Sequence, residues 1–173
     1  MLRQEKANLC VGLPEVQAYA RVESGEEEAV LAGLLRVASE MCETFLNQVL
    51  LARAFELDVR AGSGWTVLQV QPLRAISTVR RMNGGQEVSA TSYRIDIDHE
   101  GRGFIAGLPE GETYTVTGVA GIAEDPNAVP EPIRQGILRL AAYLFANRDG
   151  QIGELPKAVT ALWRPYRRAG LVR

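Results

Sequence analysis

The sequence predicts an α+β protein with a mainly α-helical core, in which a long N-terminal helix and a C-terminal helix pair flank an inserted small antiparallel β lobe. Apolar residues recur at helical spacing in two stretches, within residues 13–49 and within residues 129–168. Between them, residues 50–122 contain short β-prone runs bounded by glycine and proline turns. The length of 173 residues fits one domain, so residues 1–173 are expected to form a single domain.

The N-terminal part predicts a short amphipathic turn from Leu13 and a long helix from about Gly25 to about Asn47. Ser24 and Glu27 match a capping box, in which the serine hydroxyl accepts from a backbone amide while the glutamate carboxylate reaches back. The apolar residues that then follow helical spacing are Val30, Leu31, Leu34, Ala38, Met41, Phe45 and Val49.

The middle of the chain predicts several short strands, at residues 67–70, 76–79, 93–97, 104–105 and 114–117. Asn83-Gly84-Gly85 follows one of these runs, and Asn-Gly between β-prone segments is a strong hairpin signal. Short strands at turn-limited spacing favour a small antiparallel sheet.

The C-terminal part predicts a core helix from Ile133 to Phe145, entered through Pro130 and Pro132. Asn147 and Gly150 are expected to end it, since both residue types tolerate the left-handed conformation. Gly136 lies inside the helical pattern, where it marks either a close helix contact or a tolerated defect. A shorter helical segment from residue 157 leads into the C-terminal end.

Composition excludes several classes of protein. The chain is 46% hydrophobic and 23% charged, as is ordinary for a soluble globular protein. It has neither an apolar run long enough to span a bilayer nor the apolar core of a signal peptide near Met1, so an intracellular protein is expected. Cys10 and Cys42 are far apart and belong to no metal-binding pair, which favours buried thiols over a disulfide.

Catalytic, cofactor and metal sites are not predicted. Asp96, Asp98 and Glu100 resemble half of a calcium loop, but Gly107 stands where a bidentate glutamate is needed, so an acidic hairpin turn is favoured. His99, the only histidine, lies in the same turn without a nucleophile motif. The sequence therefore favours a protein that is not an enzyme.

Charge is distributed unevenly along the chain. Residues 1–60 carry six basic and ten acidic groups, residues 61–129 five and eight, and residues 130–173 eight and three. A basic C-terminal part on an acidic protein indicates contact with nucleic acid or with a protein partner, and the overall acidity favours the protein. Three interpretations of this region stay open, namely a partner interface, an ordinary helix cap and a nucleic-acid contact.

Several short patterns occur in a characteristic order along the chain. They are Leu73-x-x-Ile76-x-x-Val79, Tyr93-x-Ile95-Asp96, Thr115-Val116-Thr117-Gly118-x-x-Gly121, Val129-Pro130-Glu131-Pro132-Ile133-x-x-Gly136-Ile137, Asn147-Arg148 and Pro165-Tyr166-Arg167. In this order, over roughly residues 13–168, the chain resembles the head–tail connector (adaptor, or head-completion) proteins of long-tailed phages, prophages and gene transfer agents. It departs from them at Gly136, where alanine is usual, and in a rather long β lobe.

The resemblance implies a structural protein of the virion, assembled in the bacterial cytoplasm without a membrane or a cofactor. Copies form a ring, typically twelvefold, beneath the portal protein ring, and this ring extends the DNA channel and docks the stopper or tail-completion protein. DNA passes through the channel without specific binding. The C-terminal segment of the family reaches the portal, so the contact candidates here are Leu162, Trp163, Arg164, Tyr166, Arg167 and Arg168.

This interpretation has two alternatives from other classes. The basic C-terminal part is also compatible with a nucleic-acid-binding accessory protein. A small hydrolase centred on His99 is the third possibility, although no substrate is indicated. If the connector interpretation holds, truncation after Gly153 is expected to preserve most of the fold and to abolish portal binding.

Overall fold

A computed structural model of the chain describes residues 1–4, 8–22, 25, 27–148 and 154–168. The described chain divides into two compact units, a β unit formed by residues 1–4 with Leu51–Glu124 and a helical unit formed by Asn8–Leu50 with residues 125–168. The single-domain organisation stays a prediction. Within the described residues, no helix is both long enough and apolar enough to cross a membrane.

The β unit contains two antiparallel sheets. The larger sheet has the strand order β1-β2-β7-β4, and the smaller has the order β3-β6-β5. Their strands are β1 (Leu2–Gln4), β2 (Arg53–Arg60), β3 (Thr66–Leu68), β4 (Leu73–Arg81), β5 (Arg94–Ile97), β6 (Gly103–Ala106) and β7 (Thr113–Ala120).

The larger sheet is built on the pairing of β2 with β7. Both strands alternate, so that Phe55 and Leu57 on β2, and Tyr114 and Val116 on β7, turn to the buried face. Gly118 lies on β7 beside an irregularity in β4, and a Cβ there would come within 2.2 Å of the Ala75 carbonyl oxygen. Glycine is therefore required where the two backbones approach most closely.

The helical unit contains α1 (Leu13–Ala20), α2 (Glu28–Leu46), α3 (Glu131–Ala146) and α4 (Lys157–Trp163). One apolar stripe of α2 is fully buried and consists of Leu31, Leu35, Ala38, Cys42 and Leu46. The buried residues of α3 are Ile133, Gly136, Ile137, Leu138, Leu140, Ala141 and Leu144. The predicted core helix of the C-terminal part is confirmed.

The end of α2 is closed by a left-handed residue. Asn47 has φ 54°, its amide donates to the Thr44 carbonyl, and the Gln48 amide donates to the Glu43 carbonyl. These two bonds satisfy carbonyls that a helix end would otherwise leave without partners. The predicted boundary near Asn47 agrees with the structure.

Arg134 ties α1 to α3. Its Nε donates to the Cys10 carbonyl at 2.9 Å, and its other guanidinium nitrogens pair with Glu15 at 3.0 Å and Glu131 at 3.3 Å. Glu15 in turn accepts from the Gly12 amide at 2.8 Å, so this carboxylate also serves the start of α1.

The predicted fold class, a mainly α-helical core with a small β lobe, is wrong. The described chain has four helices and two antiparallel sheets and is a mixed α/β fold. The strands predicted from sequence match β3 to β7, whereas β1 and β2 were not predicted. In β2, Arg53, Glu56, Asp58 and Arg60 surround three buried apolar residues, and this charge obscured a strand whose alternation is nevertheless regular.

Two predicted helix signals have a different outcome. The helix α3 ends at Ala146 as expected, but Asn147 has φ −116° and is not left-handed; its side-chain amide donates instead to the Tyr143 carbonyl at 2.8 Å. Ser24 of the predicted capping box lies outside the described residues, as does Gly150. Glu27 directs its carboxylate to Arg148 at 2.6 Å.

Candidate partner interface at the C-terminal segment

The C-terminal segment, defined as residues 157–168, comprises α4, a 3-10 turn over Arg164–Tyr166, and two extended residues. Pro156 precedes α4 and its carbonyl accepts the first amides of the helix, from Val159 and Thr160. Val159 and Trp163 are the buried residues of α4. This short helix is therefore held by one face against the helical unit.

Trp163 lies in the core of the helical unit. It is fully buried, its Nε1 donates to the Ile133 carbonyl at 3.2 Å, and its ring centroid lies 5.7 Å from that of Phe45. A Cβ on Gly136 would lie 2.0 Å from Nε1, so α3 makes room for the indole by having no side chain there. Gly136 thus marks a close helix contact rather than a tolerated defect.

The last described residues are fixed to the end of α2. The Gln48 side-chain amide donates to the Tyr166 carbonyl, and the Arg168 amide donates to the Leu46 carbonyl at 3.0 Å. The Arg167 guanidinium lies 5.4 Å from the Phe45 ring centroid, within the range of a cation–π contact. These contacts hold the arginines in a defined place after the 3-10 turn.

The six candidate residues differ in exposure. Arg164 and Arg167 are exposed, Leu162, Tyr166 and Arg168 are half-buried, and Trp163 is buried. The segment carries four basic side chains and no acidic one. Its outer surface is therefore cationic and aromatic, while Trp163 acts beneath it as the anchor.

The buried anchor changes the expectation for a truncated chain. Removal of everything after Gly153, itself outside the described residues, would delete Val159 and Trp163 from the core of the helical unit. Loss of a large buried aromatic side chain typically costs about 3–5 kcal/mol. Truncation therefore tests stability as much as binding, and point substitutions on the exposed arginines are the sharper test.

The acidic turn around Asp98 is held by hydrogen bonds between its own residues. One Asp98 carboxylate oxygen accepts from the Glu100 and Arg102 amides, each at 2.9 Å, and the other accepts from Arg102 Nε at 2.7 Å. Desolvation works against the charge, but the hydrogen bonds from Arg102 and Glu100 hold the pKa of Asp98 below its usual value. His99 is exposed. Across the part of the chain that the structure describes, no cluster of three metal-ligating side chains occurs.

The two cysteines are free and buried in the helical unit. Burial raises the pKa of the Cys10 thiol to about 11 and also raises the pKa of Cys42. Because the thiolate is the reactive form, both side chains are poor nucleophiles at neutral pH.

No known protein family and no curated protein matches the sequence. Solved structures do match it. A chain from the neck of an empty gene transfer agent (GTA) particle, computed with C6 symmetry, has a TM-score of 0.78 and 25% identity, over 99% of this chain and 97% of that one.

The fold is similar to that of a GTA neck chain. Two further chains agree at 23% identity, again over 99% of this chain and 97% of theirs. One is from the virion of a native GTA particle, with a TM-score of 0.78, and the other from the native neck computed with C12 symmetry, with a TM-score of 0.73.

This similarity supports the prediction of a phage- or GTA-related neck protein with a structural role. Membership of the adaptor family and the portal contact stay predictions. Charge alone indicated the basic segment, whereas the sequence left open whether Trp163 caps the helix bundle or contacts a partner. Gly136, an unusual residue inside a helix, was the signal that could have assigned Trp163 to the core, because a glycine there leaves room on α3 for a large side chain from another helix.

Proposed function

We propose that this chain is the head–tail connector subunit of a phage-like or GTA particle. Copies assemble as a ring on the outer end of the portal, extend the DNA channel and dock the stopper or tail. The observation that supports this most is the similarity to a GTA neck chain over 99% of this chain. No part of the role requires catalysis.

The same comparison supports a ring. The similar neck structures were computed with C6 and C12 symmetry, as is appropriate for rings of repeated subunits. We propose a twelvefold ring in the particle. Residues 1–129 carry a formal charge of −7, and an acidic channel wall would repel passing DNA rather than bind it.

We propose that the C-terminal segment makes the portal contact. Arg164 and Arg167 present positive charge outside the helical unit, and Leu162 and Tyr166 add partly exposed apolar surface beside them. Arginine and tyrosine are favoured interface anchors, because they combine broad contact area with directional hydrogen bonding. A portal surface that is acidic and apolar is the partner that this segment fits.

The test mixes the full-length chain with portal rings encoded near it and images the mixture by negative-stain electron microscopy. An added tier of density on one end of the portal is expected. Arg164→Glu with Arg167→Glu should remove the tier, since two charges are reversed at the contact. Arg139→Glu is the matched control, because Arg139 is exposed on α3 outside the segment, and it should leave the tier unchanged.

The competing function is nucleic-acid binding through the same arginines. It predicts tight, salt-sensitive DNA binding by the isolated chain, because phosphate contacts release counterions. Portals that stay bare at high protein excess, together with DNA binding that the double substitution abolishes, would replace the connector proposal with this one.

A further inference from the structure

Helix α2 carries a second apolar stripe that the helical unit does not bury. Val30 is 46% exposed and Val37 is 40% exposed. Leu34, which lies between them, and Met41, one turn after Val37, are half-buried. These four residues repeat at intervals of four, three and four positions, which is the spacing of a helix face that packs against another surface. Together with the buried stripe, they make α2 apolar around about half of its circumference at 100° per residue.

The C-terminal half of this stripe forms a groove, here termed the α2 groove. It has a volume of about 410 Å³ and is lined by Val37, Glu40, Met41, Thr44, Phe45 and Leu155. Glu40 is exposed at its side and, among the described residues of the lining, is the one that carries a charge. Phe45 also contacts Arg167, so the groove adjoins the C-terminal segment.

The β unit presents a side-chain pair of complementary chemistry, here termed the Trp65–Arg94 pair. Trp65 precedes β3 and is 52% exposed. The Arg94 guanidinium, at the start of β5, lies 5.6 Å from the Trp65 ring centroid. An indole held under a cation in this way is a preorganised contact, because part of its rotamer freedom is already lost.

We infer that the α2 groove of one copy receives the Trp65–Arg94 pair of the next copy. The apolar lining accepts the indole, and Glu40 meets the Arg94 guanidinium. This inference rests on the proposed ring, whose head-to-tail contacts join unlike surfaces of neighbouring subunits. Charge complementarity then sets the register, because a groove facing a groove would bring two Glu40 carboxylates together.

A second copy is favoured over an unrelated partner by composition as well as by charge. Trp and Arg are the residues most enriched at energetic centres of interfaces, and this chain exposes both in contact with each other. The groove offers what such a pair needs, an apolar floor with one carboxylate at its side. Both halves of the contact are therefore present on one chain, as a ring of identical subunits requires.

Cysteine cross-linking between separately labelled chains tests the contact. Val37→Cys and Trp65→Cys place one thiol in the groove and one in place of the indole, while the buried Cys10 and Cys42 stay unreactive. Mixing the two variants under mild oxidation is expected to give a covalent heterodimer far faster than either variant alone. Tyr19→Cys, at a 50% exposed aromatic residue, replaces Trp65→Cys in the control mixture and should not cross-link selectively.

The reaction is run on the free chain at high concentration and again on chains recruited to portal rings. Equal yields from the Tyr19→Cys control, rapid homodimers of Val37→Cys, or no selective product in either sample would each overturn the inference. The first would indicate random encounter, and the second a groove facing a groove.

A charge swap supplies an independent readout. Glu40→Arg and Arg94→Glu should each weaken self-association, by roughly tenfold for a close charge pair, and combining both in one chain should restore much of it. Two substitutions that merely add their losses would contradict the pairing. Portal recruitment is scored separately: wild-type chains that never bind portals refute the proposed function, whereas chains that bind portals without a selective cross-link refute only this contact.

Discussion

The Trp163 indole packs against the backbone of α3 at Gly136, in the space that a side chain at position 136 would occupy. A Cβ on Gly136 would lie 2.0 Å from the indole nitrogen, which donates to the Ile133 carbonyl one turn earlier in the same helix. The C-terminal segment therefore docks on α3 through backbone contact as well as through apolar packing.

Substitution Gly136→Ala should destabilise the protein. Alanine favours a helix interior by about 1 kcal/mol over glycine, but displacing a fully buried indole costs more, with overpacking typically about 1–3 kcal/mol. A net loss in the free energy of unfolding is expected by urea denaturation.

Gly33→Ala is the matched control, since a Cβ at this other helical glycine would meet only the end of the Arg36 side chain at 3.9 Å. It should be neutral or stabilising by up to about 1 kcal/mol. A stabilised Gly136→Ala variant would show that the Trp163 indole does not pack against α3 at position 136.

The two tryptophans should respond in opposite ways to substitution. Trp163→Ala removes a fully buried ring and should cost about 3–5 kcal/mol, whereas Trp65→Ala at a 52% exposed position should change the free energy of unfolding by less than about 0.5 kcal/mol. Fluorescence provides the check: a Trp65→Phe protein retains only the buried indole and should emit at shorter wavelength than a Trp163→Phe protein. Similar emission from both would contradict the assigned burial.

Arg134 should be intolerant of lysine. Its fork reaches the Cys10 carbonyl, Glu15 and Glu131 at once, which a single ammonium group cannot reproduce. Arg134→Lys is expected to lower the free energy of unfolding by about 1–3 kcal/mol, because a half-buried acceptor loses a charged donor. Arg139→Lys, on the exposed face of the same helix, should be silent by thermal unfolding.

Stability should fall in alkaline solution through the buried thiols. The pKa of Cys10 is about 11 in the folded protein against an ordinary 9.0, and the pKa of Cys42 is raised as well. Below about pH 9 both states keep the proton and stability is unaffected. Between pH 9 and 11 the unfolded state releases protons that the folded state retains, so the free energy of unfolding decreases as pH rises.

Denaturation at pH 8 and at pH 10.5 checks this, with a Cys10→Ala, Cys42→Ala protein as the reference. The wild-type protein should lose more stability than the reference over this interval. Burial also raises the pKa of Tyr114, and that contribution cancels in the comparison because both proteins retain the tyrosine.

Periodicity predicted where helices and most strands lie, but it did not predict which face of an element is covered. Val30 and Val37 lie at helical spacing from each other, as do Leu31 and Leu35, yet only the latter pair is buried. Spacing identifies an apolar stripe, and a helix with two stripes looks the same in sequence as a helix with one broad stripe.

The size of the β unit was underestimated for a related reason. Strand β2 gains its stability from cross-strand partners some 60 residues away, such as Tyr114 opposite Val59, and no local pattern reports such pairing. The arginines of the C-terminal segment could be identified from sequence because the charge of a residue depends on its type and not on its partners in the fold. The burial of Trp163 could not be decided from sequence because its partners Phe45 and Ile133 are distant in the chain.

The helical unit is assembled from two parts of the chain that Leu51–Glu124 separate in sequence. During synthesis, α2 emerges long before α3 and α4, so the apolar stripe that these helices cover stays exposed until they are made. The β unit is nearly continuous in sequence and can pair its strands in the meantime. Trp163 is made after the core residues of α1, α2 and α3, and the end of α2 receives residues 166–168 only after it. A chain interrupted before residue 163 is therefore expected to have an incomplete helical core, with the end of α2 and the space beside Gly136 both left without their partners.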